Sequence, residues 1–389
     1  MNVAEIGLHT ATIAQHRHNF TQNIVFKPFL WYFNPYIMAL IPRPPVVVIL
    51  GHIDHGKSTL LDYIRKSNVA DGEVGGITQK MTAYEINHAH EGKDQRITFI
   101  DTPGHEAFQT LRGEGARVGD IAVLVVSAED GVKPQTLEAL KAILEAKIPY
   151  IVAINKIDKP TANVEKTKQT LAEHDILIES WGGKVPSVNI SAKTGEGVPE
   201  LLDTILLAIE LEQITYDPKA PATGIVIEAH RDKQKGISAT LIIKNGSIET
   251  GMFIIAGKAF SPVRLLENFA GKKITHAEAS SPVQVIGFTE IPNLGSSFVM
   301  VKNKKEAEQM VKQILEKEAA DAKALKIKQV EEAKAPATEQ YRLPIIIRAD
   351  SVGVIDAIKH ELGKITTEHN GFNILMASVG EISESDVKT

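Results

Sequence analysis

Between Pro45 and Glu212 the chain repeats one unit: a short apolar run, a break, then a longer stretch with apolar residues at helical spacing. The runs are "PVVVIL", "RITFIDT", "DIAVLVVSA", "PYIVAINKI" and "PSVNISA". Their partners are "KSTLLDYIRK", "EAFQTLRGEGARVG", "PQTLEALKAILEAK", "VEKTKQTLAEHD" and "GVPELLDTILLAIELE". Strands that are apolar on both faces cannot lie at a surface. They require a parallel sheet with helices packed on each side. This pattern predicts an α/β domain over residues 43–213, with its strand-to-helix loops gathered at one sheet edge.

"YDPKAPA" then reads as a linker, and the apolar period changes to two. "ATGIVIEAHRD", "GISATLIIKNGSIETGMFIIAG", "SPVRLLENFAGKK" and "PVQVIGF" predict a small β-barrel over residues 222–302. Asn245–Gly246 between apolar runs predicts a hairpin. Residues 303–335 hold no Gly or Pro and keep Met310, Val311, Ile314, Leu315, Ala319, Ala322 and Leu325 at helical spacing. This is read as a long connecting helix with one apolar stripe. Its charges alternate in sign, which suits a solvated face better than an RNA-binding stripe. "LPIIIRAD", "GVIDAIKHELGKI" and "FNILMASVG" read as β-α-β, and "SESDV" as the cap of a following helix. Residues 341–389 are therefore expected to form an incomplete third α/β domain.

Residues 1–42 form an N-terminal extension that is aromatic-rich and interrupted by Pro28, Pro35 and Pro42. A membrane-spanning helix needs about 20 apolar residues without such breaks, so no membrane span is expected; the segment is read as an accessory or poorly ordered extension, with a targeting or membrane-surface role as the alternative. The absence of Cys excludes disulfides, thiolate metal sites and Cys nucleophiles, and fits a reducing compartment. The net charge of −5 gives no global attraction to nucleic acid, although a basic face can sit on an acidic molecule.

The chemistry lies in the loops. "GHIDHGKSTL" follows the first strand and enters the first helix, so Gly51-x4-Gly56-Lys57-Ser58 has the form and context of a P-loop. In that reading backbone N–H groups from Gly51 through Thr59 turn toward phosphates, and Lys57 places a point charge on the β- and γ-phosphates. The Ser58 hydroxyl ligates Mg²⁺, and the helix start favours the anion. Asp101 of "DTPG" ends a strand at the same edge. It is read as holding Mg²⁺ through a water, and the Gly104 N–H as sensing the γ-phosphate. "NKID" (Asn155, Lys156, Ile157, Asp158) selects the base. A carboxylate at Asp158 accepts from guanine N1–H and the 2-amino group, which adenine cannot match. The Lys156 stem can stack on the base, and "SAK" (Ser191, Ala192, Lys193) can bring a backbone N–H to guanine O6. Thr78 in "GGITQK" is placed to reach Mg²⁺ and the γ-phosphate from a loop that hydrolysis would release. His105, directly after Gly104, can orient the attacking water. Three histidines close together raise the question of a metal site. His52 and His55 lie on a phosphate loop whose cation is Mg²⁺, so both are read as local hydrogen-bonding groups. These residues predict a GTP/GDP site that turns over by phosphoryl transfer to water.

"GHIDHGKST", "GGITQ" and "DTPGHEAF" together resemble the translational GTPases, and among them the bacterial-type translation initiation factor two family. Elongation factors of the superfamily usually carry Arg-Gly-Ile-Thr in place of "GGIT". The resemblance runs from about Arg43 to Lys302 and continues more weakly through "LPIIIRADSVGVIDAI". It implies a GTPase domain, a β-barrel second domain, a connecting helix and two C-terminal domains. It also implies GTP hydrolysis stimulated by the ribosome, with both subunits and rRNA as partners, and promotion of initiator-tRNA placement and subunit joining. The family's site roles fall on Lys57, Ser58, Thr78, Asp101, Gly104, His105, Asn155, Lys156, Asp158, Ser191 and Lys193. Ile53 and Ile77 match the apolar pair flanking the catalytic His, and Asp54 matches a position that can help hold a monovalent cation. Lys80–Met81 departs from the family's usual His and apolar residue. The family's tRNA contact lies in its last domain, which this chain does not reach, so direct tRNA binding is not expected of it. A cytoplasmic monomer is expected. Two other readings stay open: a nucleotide-gated ribosome-binding module with little turnover, and an elongation-type GTPase.

Overall fold

The computed structural model describes residues 40–66, 80–104, 106–232, 235–317, 341–366 and 370–387. The N-terminal extension to residue 39, Ile77, Thr78, His105 and the second half of the predicted connecting helix lie outside the described residues.

The first domain is a six-stranded sheet. Its strands are β1 (Val46–Gly51), β2 (Thr82–His90), β3 (Lys93–Asp101), β4 (Ile121–Ser127), β5 (Tyr150–Asn155) and β6 (Ser187–Asn189). They lie in the order β2-β3-β1-β4-β5-β6. Every residue of β1 and β4 is buried. Alternate residues of β1 enter two different cores, Val47 and Ile49 on one face and Val46, Val48 and Leu50 on the other. Helices α1 (Lys57–Lys66) and α5 (Val198–Glu212) cover the first face. Helices α2 (Gln109–Val118), α3 (Pro134–Ala146) and α4 (Val164–Glu173) cover the second. The stretch "EAFQTLRGEGARVG" begins with a 3-10 turn over Glu106–Phe108, and α2 proper starts at Gln109.

The sheet is parallel except at one edge, where β2 pairs antiparallel with β3. The all-parallel expectation missed this strand. "TAYEINHAH" buries only part of its surface, as an edge strand does, so it lacks the continuous apolar run of its neighbours. It joins β3 through Glu91 and Gly92, both at positive φ (49° and 74°), the twist that suits a two-residue hairpin. His88 Nε2 and His90 Nδ1 lie 2.9 Å and 2.7 Å from Asp203 Oδ1 and tie the edge strand to α5.

The second domain is antiparallel. Its strands are β7 (Thr223–Asp232), β8 (Gly236–Asn245), β9 (Ser247–Glu249), β10 (Phe253–Ala256), β11 (Ala259–Pro262), β12 (Leu265–Asn268), β13 (Lys273–Ile274), β14 (His276–Glu278), β15 (Pro282–Ile286) and β16 (Ser297–Val301). Eight of them form one sheet in the order β11-β10-β16-β7-β8-β15-β12-β13, and β9 pairs with β14 in a separate ribbon. Both sheets face one core that includes Val226, Leu241, Ile248, Ile254, Ala277 and Val285, so the domain is barrel-like. The hairpin expected at Asn245–Gly246 does not form, because β8 pairs with β7 and β15 while β9 pairs elsewhere. Gly246, at φ 74°, instead turns the chain toward the linker, where Asn245 Oδ1 accepts the Asp217 N–H at 2.8 Å.

Helix α6, over residues 304–317, follows. Strands β17 (Tyr341–Ala349) and β18 (Asn370–Val379) then pair in parallel around α7 (Val352–Ile365), and the short α8 (Glu384–Val387) ends the described residues. Ser383 and Asp386 close α8 with reciprocal hydrogen bonds, and Arg348 pairs with Asp386.

Charged groups join the first two domains. Asp120 accepts from Arg43 at 2.7 and 2.9 Å, from Lys244 Nζ of β8 at 2.8 Å and from the Val46 N–H at 2.8 Å. Burial alone would raise the Asp120 pKa, but Lys244 and Arg43 outweigh it and hold the carboxyl below its ordinary value. Its contribution to stability is therefore complete above the ordinary carboxylate range and is lost as pH falls through the depressed value. Replacing Asp120 by Ala would leave two buried cations without their partner. The expected loss is about 3–5 kcal/mol at pH 7, read as a fall in the urea midpoint.

Candidate nucleotide-binding site

Four loops leave the carboxyl edge of the first sheet side by side. In the sheet Ile49 stands opposite Asp101, Gly51 opposite Val125, and Ser127 opposite Asn155. A Cβ on Gly51 would lie 2.4 Å from the Val125 carbonyl oxygen, so only glycine lets β1 turn into the loop here.

Lys57 opens α1 and is almost wholly buried. Its Nζ donates to the Gly51 and His52 carbonyls at 2.8 and 2.7 Å. Burial lowers its pKa to about 8; Asp101 opposes that fall and Arg112 adds to it. His55 is also buried, its Nδ1 lying 3.2 Å from the Val125 carbonyl, and burial lowers its pKa to about 4. At neutral pH His55 is an uncharged hydrogen-bonding group, with the His52 ring edge-on at 4.9 Å. The Ile53 N–H is bonded to Gln135 Oε1 of α3 at 3.2 Å. Asp54 and Thr59 are exposed, and Ser58 is half-buried at the head of α1.

The second loop runs from Asp101, buried at the end of β3. Thr102 Oγ1 donates to the Ile49 carbonyl at 2.9 Å. Gly104 packs so closely on the P-loop that a Cβ there would lie 2.6 Å from Lys57 Nζ and 3.0 Å from Ile53 Cα. Arg112 of α2 reaches back to this loop and pairs with Glu138 of α3 at 2.7 Å.

The third and fourth loops are bonded to each other and to the first. Asn155 Nδ2 donates to the His55 carbonyl at 2.8 Å, and its Oδ1 accepts the Ala192 N–H at 2.9 Å. Ser191 Oγ donates to Asp158 Oδ1 at 2.8 Å, and Asp158 is exposed at the loop rim. Lys156 has φ 66° and lies 3.7 Å from Glu129 and 3.8 Å from Asp130. Lys193 is exposed beside them. The residues picked from sequence for these loops thus converge wherever they are described. Sequence reasoning missed Gln135, Arg112 and Glu138, whose partners lie on other elements and leave no local signal.

A hydroxyl at Ser58 and a carboxylate at Asp101 are hard oxygen donors of the type Mg²⁺ takes. Among the described residues no group of three or more His, Asp and Glu could hold a metal ion by itself. Mg²⁺ does not need one, since it keeps waters and uses phosphate oxygens beside one or two carboxylates. These residues fit the ion.

Residues 43–210 match the family described as Elongation factor Tu GTP binding domain, residues 221–301 match Elongation factor G domain 2, and residues 316–389 match Translation-initiation factor 2. Translation initiation factor IF-2 of Synechococcus sp. (strain JA-3-3Ab) is 45% identical over 354 residues, which is 90% of this chain and 34% of the relative. The same factor of Rubrobacter xylanophilus is 42% identical over 351 residues, covering 90% of this chain and 50% of the relative. The chain thus spans half or less of the length of these relatives. The crystal structure of GDP-bound aIF5B from Aeropyrum pernix is similar with a TM-score of 0.57 at 26% identity, over 90% of this chain and 66% of that one. Fold and loops define a P-loop GTPase domain followed by a translation-factor β domain. Over 90% of its length the chain is similar to translation initiation factors IF-2, and its residues 316–389 match that family's model.

Lys57 generates a measurable expectation. With its pKa near 8, the free amine is largely neutral above that pH. A phosphate placed against it restores the charge, so binding takes up a proton there and weakens as pH rises. Below pH 8 both states are protonated and uptake vanishes. Calorimetry of GDP binding in two buffers of different ionisation heat should show uptake at pH 9 and little at pH 7, and Lys57→Met should abolish the difference.

Proposed function

We propose that the protein is a translation initiation GTPase, which binds GTP and GDP at the four-loop edge, hydrolyses GTP on the ribosome, and promotes initiator-tRNA placement and subunit joining. The observation that carries this reading is Asn155. Its amide joins the P-loop to the "SAK" loop, with Asp158 held by Ser191 at the rim beside it. That arrangement suits a guanine ring at the rim and phosphates running back to Lys57.

Each residue has a role in this reading. The backbone from Gly51 to Thr59 and the Lys57 ammonium bind the phosphates. Asp158 accepts from the guanine N1–H and 2-amino group, Lys156 covers the base with its stem, and the N–H groups of "SAK" reach O6. Ser58, Thr78 and Asp101 would hold Mg²⁺, which would offset charge developing on the phosphates. Gly104 senses the γ-phosphate and His105 orients the water for in-line attack. Among the described residues no Arg is placed as a finger, so unstimulated turnover is slow and the ribosome supplies the ordering of the Thr78 loop and His105. The relatives' names as initiation factors support the ribosomal setting. No described helix is long and apolar enough to cross a membrane.

Two substitutions separate binding from turnover. Asp158→Asn should weaken GTP binding and favour xanthosine nucleotides, whose 2-oxygen accepts from the new amide. His105→Ala should keep nucleotide affinity within about twofold of the parent while abolishing ribosome-stimulated hydrolysis, because its contribution falls on the transition state alone. Fluorescent-nucleotide titration and single-turnover hydrolysis on ribosomes read the two effects. Equal affinity of the parent for ATP and GTP would overturn the base assignment. Ribosome binding without stimulated hydrolysis would leave a nucleotide-gated binding module.

A further inference from the structure

We propose that Arg112 is a positioning residue that sets the direction of the Gly104 N–H, and thereby the protein's ability to tell a nucleoside triphosphate from a diphosphate. The inference rests on the guanine-nucleotide reading above and extends it to a residue outside the four motifs.

Arg112 lies in the first turn of α2 and is 1% exposed. A buried guanidinium needs a structural or functional partner set. One side of the fork is held by Glu138 of α3 at 2.7 Å. The other side, Nη1, is 3.4 Å from both the Pro103 and the Gly104 carbonyl oxygens. The Pro103–Gly104 peptide is the unit that matters. In a trans peptide the carbonyl and the N–H point in opposite directions. A guanidinium that draws the Pro103 oxygen to itself therefore turns the Gly104 N–H away from Arg112. Gly104 packs directly on the P-loop, since a Cβ there would meet Lys57 Nζ at 2.6 Å and Ile53 Cα at 3.0 Å. An N–H turned away from Arg112, on a glycine that rests against the P-loop, can reach a terminal phosphate bound there.

The two 3.4 Å contacts are long for a charged donor, which prefers about 2.7–2.9 Å. Contacts this long leave the loop free to move toward a γ-phosphate, while the Glu138 pair keeps the guanidinium in place. Arg112 also acts through space, since its charge helps to lower the Lys57 pKa. Geometry and charge can be separated by substitution. A Lys at this position keeps the charge and loses the fork, whereas a Met loses both.

The experiment uses the whole chain and fluorescent GDP and a non-hydrolysable GTP analogue, each titrated from pH 7 to 9.5, with thermal unfolding run in parallel. Arg112→Lys should lower affinity for the GTP analogue relative to GDP about tenfold, the size of one well-made hydrogen bond, with GDP affinity within about twofold of the parent. Its pH profile should match the parent's. Arg112→Met should lose the same discrimination. Glu138→Gln, which frees the guanidinium without removing it, should fall between parent and Arg112→Lys. If the folded Arg112→Lys and Glu138→Gln variants keep the parent's ratio of affinities, or lose both ligands equally, Arg112 is a packing residue and the proposal is overturned. A parent that binds neither nucleotide would instead overturn the guanine-nucleotide reading itself.

Discussion

The strand from Val46 to Gly51 has no exposed face, and the site depends on that burial. A strand buried on both sides needs helices above and below, and parallel neighbours reached by crossovers. Crossovers return β1, β3, β4, β5 and β6 in the same direction. The ends of β1, β3, β4 and β5 therefore lie along one edge, although they are far apart in sequence. Once the edge exists, loops can bond to each other. Asn155 reaches His55, a hundred residues earlier, and Ala192, and that pair of bonds makes a single site of separate loops.

The second domain is bonded to the strand that carries the second loop. Thr98 Oγ1 of β3 donates to the Ser280 carbonyl at 2.8 Å, and Arg96 of the same strand donates to the Ala279 carbonyl at 2.8 Å. Three residues beyond Thr98 the strand ends at Asp101. The Asp120 clasp fixes the same two domains at the start of β4, and Ile227 and Ile242 of the β domain join the apolar core under α2. The third α/β segment also meets α2, for a Cβ on Gly353 of α7 would lie 2.9 Å from the Leu111 side chain. Helix α2 thus touches the Gly104 loop at one end and two other parts of the molecule along its length.

Electrostatics in the first loop are set by burial rather than by net charge. The protein is acidic overall, yet its nucleotide loop holds a buried amine with Arg112 nearby and Asp101 opposing it. His55 adds no positive charge at neutral pH, because burial keeps it neutral and its Nδ1 is committed to the Val125 carbonyl. Among the described residues of this loop, positive charge is thereby concentrated on Lys57.

Much of this was legible in the sequence. Helix α1 begins and ends where "KSTLLDYIRK" begins and ends, and the buried strands coincide closely with their apolar runs, because burial period is a local property. The P-loop, "DTPG", "NKID" and "SAK" were found from residue types whose chemistry is likewise local. What the sequence could not determine was pairing. Residues 82–90 alternate too weakly to announce a strand until β3 supplies a partner. Asn245–Gly246 has the composition of a hairpin, yet the chain turns there to another sheet, because β8 finds better partners in β7 and β15. The second amide bond of Asn155, and the placement of Gln135, Arg112 and Glu138 around the loops, were decided by tertiary structure alone. A side chain's hydrogen-bonding capacity is written in its residue type, but the group it meets depends on which distant segments packing brings within 3 Å or so.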